Sequence, residues 1–301
     1  MLQTLQIFLQ INLILYLILR SVNGSSIKLL YNPSMYIATD KLQKEKALAF
    51  INEFSENLKN ISGKCMDVGC GPGDITKDIF LPALNPNAVV IDISESMIEY
   101  ANRMSSVKNR LKYEILDIQT KQLPNQYISE FDHIFSVHTL HWCNDIRQAF
   151  KNIYRMLRSN GTMLVLFVSS HDIFKILDIM TQDKDYAPYI SDIKRYTWPF
   201  QNSVNPRSEL KELLEEIGFT IIHCSLRETY FVDDNSDQFL SAIISFLEFI
   251  DKMPCDQKEK FKKDFKQKYS EIKISCKQNN DTTLIIELYN VLIAFAQKRM
   301  P

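Results

Sequence analysis

Cys65-Met66-Asp67-Val68-Gly69-Cys70-Gly71-Pro72-Gly73-Asp74 is the stretch from which the rest of the chain can be read. An apolar run closes on an acid, three glycines alternate with other residues, and a helical pattern starts at Ile75. The 301-residue chain has only 7 glycines, so this window concentrates them. Glycine collects where the backbone needs positive φ or where a ligand must come close to it. At a strand-to-helix turn, that pattern points to a nucleotide-type site with helix amides facing the ligand.

Outward from this turn the elements alternate. Lys41 to Leu58 reads as a helix with Leu42, Leu48, Ile51 and Phe54 on one side. Lys64 to Val68 is a first strand, and the helix after the glycines runs to about Leu84, with Pro82 disturbing its last turn. Ala88 to Asp92 is a second strand, and Ser94 caps the helix Glu95 to Met104. Leu111 to Leu116 ends at Asp117-Ile118, and Phe131 to Ser136 leads into a loop, His138 to Trp142. Asn144 or Asp145 caps the next helix, and Thr162 to Val168 is the fifth strand. Strands alternating with helices predict a doubly wound α/β sheet.

The stretch 169–205 reads as irregular and aromatic, and Asn205-Pro206 opens a helix that Gly218 ends. Phe219 to Cys224 and Arg227 to Val232 read as an antiparallel hairpin. Everything from Asp234 reads as helical, with Thr283 to Lys298 the most apolar helix. The expected fold is a Rossmann-like, seven-stranded sheet with an antiparallel edge hairpin and helical N- and C-terminal additions. Its expected parts are a leader (1–30), a catalytic domain (31–233) and a helical extension (234–301).

Composition narrows the function. With 46% hydrophobic and 24% charged residues the chain can bury a sizeable core, and a net charge of −1 gives no electrostatic case for nucleic acid. The most basic stretch, Lys258 to Lys268, is broken by Glu259 and Asp264. It carries Phe261, Phe265 and Tyr269 every fourth residue, as a solvated helix with a buried stripe does. Six cysteines show no C-x-x-C pair and no zinc-ligand spacing. Free thiols in a reducing, cytoplasmic compartment are expected, with no metal, and a Cys70 inside the loop would be vulnerable to oxidation elsewhere. Residues 1–19 carry no charge, yet lack a basic start and a good cleavage site. A weak signal or anchor, a buried extra helix, and translated sequence ahead of a true start stay open. Stable membrane association is expected only if 1–20 is retained.

Gly69, Gly71 and Gly73 are spaced G-x-G-x-G rather than G-x-G-x-x-G, and no Gly-Lys-Ser or Gly-Lys-Thr follows. Asp92, about 20 residues on at a strand end, is placed to accept ribose hydroxyls. Asp67 to Gly73 resembles motif I of class I S-adenosylmethionine-dependent methyltransferases. That resemblance implies S-adenosylmethionine as methyl donor, held by Asp67, Gly69, Cys70, Gly71, Gly73, Asp92 and Ile93, with Asp117 and Ile118 at the adenine.

Two further stretches narrow the likeness: Asn32-Pro33-Ser34-Met35-Tyr36 with Leu42 to Leu48, and Leu140-His141-Trp142-Cys143-Asn144-Asp145. With Ile91 to Ser94 and Met97 to Ala101, they are similar to the arthropod juvenile hormone acid methyltransferases, from about Asn32 to the late hairpin. The resemblance implies that Gln43 and Trp142 hold the carboxylate of an apolar acid, with His141 in a supporting role. A carboxylate is ionised at neutral pH, so methyl transfer to it needs positioning rather than a general base. Only Arg147 lies near Trp142 in sequence, which disfavours a polyanionic acceptor such as trans-aconitate. A hydroxyl or amine acceptor, and a non-catalytic S-adenosylmethionine-binding protein, remain as alternatives. A monomer or homodimer is expected.

Overall fold

β1 (Lys64–Val68) is buried along nearly its whole length, as a strand covered on both faces must be. It lies in the middle of a sheet with β2 (Asn87–Asp92) on one side and β4 (Phe131–Val137) on the other, both parallel to it. β3 (Leu111–Ile115) extends the sheet beyond β2, and β5 (Leu157–His171) beyond β4, again in parallel. The computed structural model describes residues 41–59, 61–84, 87–92, 94–108, 110–190, 198–233, 240, 247–277 and 283–299. The leader 1–30, the Asn32 to Tyr36 segment and Ile93 lie outside them, as does the side chain of Gln43.

Helices cover both faces. On one side, α1 (Lys41–Glu53) and the single turn α2 (Ser55–Leu58) lay Ala47, Phe50, Ile51 and Phe54 on the sheet. Leu48, read as part of that stripe, is 49% exposed, because the buried stripe is set by Ala47 and Phe50 instead. The helix after the glycine turn is a π-helix, Thr76–Phe80, leading into α3 (Leu81–Leu84). Widening the helix just before Pro82 relieves the clash of its ring with the preceding turn. α4 (Glu95–Met104) is capped by Ser94, whose Oγ accepts from Met97 N at 3.4 Å. α5 (Ile146–Met156) is capped by Asp145, whose Oδ1 accepts from Gln148 N at 3.0 Å. α7 (Pro206–Ile217) ends at Gly218 with φ 117°.

The second half of the chain departs from expectation in three ways. Residues 169–205 are not irregular throughout: α6 (Asp172–Thr181) starts where His171 Nδ1 accepts from Ile173 N at 3.2 Å. The expected hairpin is one continuous strand, β6 (Phe219–Asp233), because Ser225-Leu226 offers no glycine, proline or asparagine for a tight two-residue turn. Its antiparallel partner is Thr283–Lys298, here β8, read from sequence as a helix. β8 runs between β5 and β6, antiparallel to both, giving the order β3-β2-β1-β4-β5-β8-β6. Every side chain from Val291 to Ala296 is buried, so the segment is apolar on both faces and shows no alternation. The antiparallel edge pair of the expected fold is thus present with a different member. The described part of 234–301 is not a purely helical extension, since its last strand completes the sheet.

What is helical there is α8 (Cys255–Ile272), whose Phe261, Phe265 and Tyr269 are buried as the four-residue spacing predicts. They join α6 and Tyr186 in a satellite core beside the sheet. β7 (Ile274–Lys277) follows and pairs with the start of β8, on the side β5 leaves at His171. At this handover Lys273 Nζ lies 2.7 Å from Glu287 Oε2, with side chains 2% and 0% exposed, and His171 Nε2 lies 3.5 Å from the same oxygen.

Candidate active site

The glycine turn sits where β1 ends, and all three glycines have positive φ: 77° at Gly69, 55° at Gly71 and 80° at Gly73. Gly69 also has no room, since a Cβ there would come within 2.0 Å of Thr139. The close approach is deliberate: Thr139 Oγ1 donates to Gly69 O at 3.0 Å, and Ser136 Oγ to Val68 O at 2.9 Å. The amides of Gly69 and Cys70 both donate to Ile91 O, at 2.8 and 3.1 Å. The loop is therefore a rigid cradle tied to β2 and β4.

Asp92 completes it. Its Oδ2 accepts from Gly71 N at 3.0 Å and its Oδ1 from Ser94 N at 2.8 Å. The carboxylate is half-buried, so its orientation is set while part of it stays accessible. Asp67 is buried beneath the loop and accepts from Thr76 Oγ1 at 2.5 Å; desolvation pushes its pKa up to about 7. Asp74, also buried, pairs with Lys44 Nζ at 2.6 Å, which docks the start of α1 onto the loop.

A cleft opens over these groups, lined by Asp67, Gly69, Cys70, Gly71, Asp74 and His138 among others; among the described residues no lysine or arginine lines it, and Lys44 reaches it only through its pair with Asp74. Acids without basic residues would repel a phosphate and favour a cation. S-adenosylmethionine, with its sulfonium and ammonium charges and no phosphate, fits that donor set.

Of the other expected residues, Gly73, Asp92, Asp117, Ile118, His141 and Trp142 lie outside this cleft's wall. Asp117 is half-buried, and its Oδ1 accepts from Gln119 N at 2.8 Å. Ile118 is buried, and its carbonyl accepts from Asn152 Nδ2 at 2.8 Å. Asn152, fully buried on the apolar stripe of α5, was missed from sequence, although an amide on such a stripe is itself a sign of a buried partner. Cys70 is buried with its thiol pKa pushed well up by desolvation, so it stays protonated. The expectation that this thiol would be oxidation-prone is therefore corrected.

His138, which sequence treats as structural, has φ 55° and lines both the cleft and a neighbouring cavity of about 180 Å³ under α1. Burial lowers its pKa to about 4, and its Nε2 has no hydrogen-bond partner. His141 is buried with its pKa well below 6.5, also through desolvation. It sits 4.6 Å from the Trp142 ring and 4.9 Å from the Trp198 ring.

Comparison with known proteins gives relatives of the same fold. Residues 66–165 match the family described as a methyltransferase domain. Juvenile hormone acid O-methyltransferase of Bombyx mori is 28% identical over 274 residues, covering 89% of this chain and 97% of that protein. The Drosophila melanogaster protein of the same name is 26% identical over 271 residues, covering 88% and 91%. The malonyl-acyl-carrier-protein O-methyltransferase of Bacillus anthracis is 31% identical over 124 residues, covering 41% and 44%. In fold, the chain is similar to the YcgJ protein of Bacillus subtilis, with TM-score 0.53 at 14% identity over 85% of this chain and 100% of that one. Among the described residues no helix is long and apolar enough to cross a membrane. With the glycine cradle, the acid-lined cleft and the strand order in place, residues 66–165 form a methyltransferase domain, and the chain has the fold of the class I S-adenosylmethionine-dependent methyltransferases.

Proposed function

We propose that this methyltransferase esterifies the carboxylate of an apolar acid of the juvenile hormone acid, farnesoic or fatty type. The observation that carries this reading is coverage. The bacterial relative matches 41% of the chain, whereas the juvenile hormone acid O-methyltransferases match 88–89% of it, well beyond the residues that the methyltransferase domain spans.

In this reading the loop from Asp67 to Gly73, with Cys70, cradles the amino-acid end of the donor, and Asp92 with Ile93 holds its ribose. Asp117 and Ile118 flank the adenine, with Asn152 holding that turn in place. S-adenosylmethionine supplies an electrophilic methyl group on a sulfonium. Gln43 and Trp142 orient the acceptor carboxylate with neutral N–H donors, which leaves its nucleophilicity undiminished by ion pairing. His141 is held neutral by burial and supports Trp142 by ring contact. The acceptor is already ionised, so these residues need only align it and exclude water.

The test is an assay of the purified protein with labelled donor and a panel of fatty and farnesoid acids, their alcohols and amines. Methyl ester formation is expected, and transfer only to alcohols or amines would overturn the reading. Gln43→Ala and Trp142→Ala should lower turnover while leaving donor affinity nearly intact. Asp92→Ala should weaken donor binding by about 1.5–3 kcal/mol, the scale of a charge-assisted hydrogen bond.

A further inference from the structure

Resting on the carboxylate-acceptor reading, we propose that Trp198 is an additional acceptor-binding residue, whose indole N–H donates to the acceptor's anionic end beside Trp142 and His141. Trp198 Nε1 is buried and has no hydrogen-bond partner among the described residues. Buried indole N–H groups are ordinarily paired, and an unmet one costs the full desolvation of the donor. The nearest ring partners offer packing rather than an acceptor oxygen. Trp142 meets the ring edge-on at 5.6 Å and 90°, Phe174 lies at 4.6 Å, and His171 at 6.4 Å.

A second buried nitrogen lies in the same cluster. His141 Nδ1 also lacks a partner, and its ring centroid is 4.9 Å from that of Trp198. Ser169 Oγ, fully buried where the β5–β8 register shifts, is a third orphan at this end of the sheet. These atoms sit on three separate segments: the turn after β4, the end of β5, and the residue opening the turn before α7. An apolar ring wall that presents unmet neutral hydrogen-bonding groups suits a carboxylate on an apolar body. The carboxylate accepts from more than one donor, and the rings take the carbon skeleton. A water molecule would need two to four polar partners to occupy the place and is the group a carboxylate would displace.

The chain has 2 tryptophans, Trp142 and Trp198, which makes the test direct. Trp198→Phe keeps an aromatic ring and removes the N–H. It should raise KM for the acid about ten- to a hundred-fold with donor affinity and thermal midpoint unchanged. In Trp142→Phe, Trp198 is the sole tryptophan. Its emission should shift saturably when farnesoic acid is added with S-adenosylhomocysteine present, and not when the methyl ester is added. Wild-type KM in Trp198→Phe, or no acid-dependent emission change in Trp142→Phe at acid concentrations where that variant still forms the ester, overturns the assignment and leaves the proposed function standing. A wild-type protein that methylates none of the acids overturns both.

Discussion

Asp67 is an acid that burial holds near pH 7. In the free protein it keeps its proton at mildly acidic pH, because desolvation outweighs the hydrogen bond from Thr76. A cationic donor bound in the same cleft favours the ionised form, so binding should release a proton and tighten as pH rises from about 6 to 8. Calorimetry in two buffers of different ionisation enthalpy reads this directly. Buffer-independent heats at pH 6.5 would contradict it. At this scale the donor side was legible, because glycine spacing and acids at strand ends are local features. Trp198, His138 and Asn152 were not, because their roles come from partners 30 or more positions away or from lacking a partner once buried.

Among elements, the junction of β5, β7 and β8 decides whether the satellite core stays attached. β5 turns into α6 at His171, β7 continues its line against β8, and Lys273 and Glu287 meet at the seam with almost no exposure. Removing one partner from a buried pair leaves an uncompensated charge, and typically costs about 3–5 kcal/mol. Lys273→Met should therefore lower urea-unfolding stability by that order, while Lys273→Met with Glu287→Leu should recover much of it. Equal stability of the single variant and wild type would show that the pair is not closed in solution. Sequence could not reveal this seam. Thr283 to Lys298 is apolar throughout, and periodicity cannot separate a buried strand from a buried helix. The first four parallel strands were legible because each is short and bounded by turn residues or capped helices.

Across the whole molecule, burial lowers the pKa of all five histidines: His138 to about 4, His171 to about 3, His141 well below 6.5, and His133 and His223 downward. With folded values below the unfolded 6.5, the unfolded chain takes up protons first, and stability falls as pH drops from 6.5 toward 4. Asp67 opposes this between 3.8 and about 7, since there the folded acid is the better proton binder. Three strongly lowered histidines against one raised acid leave a net uptake of protons on unfolding near pH 5. Thermal unfolding at pH 7 and pH 5 should show a marked fall in Tm, and an unchanged midpoint would refute the balance.

The place of β8 has one more consequence. It lies between β5 and β6, yet it follows both in the chain, 112 positions after His171 and 50 after Asp233. During synthesis β5 and β6 emerge from the ribosome with their shared neighbour still unmade, each presenting an open row of amides and carbonyls. Edges of that kind recruit other strands. The nascent protein therefore passes through a window in which a chaperone, or a second copy of the same chain, competes for a slot that only its own late segment should fill.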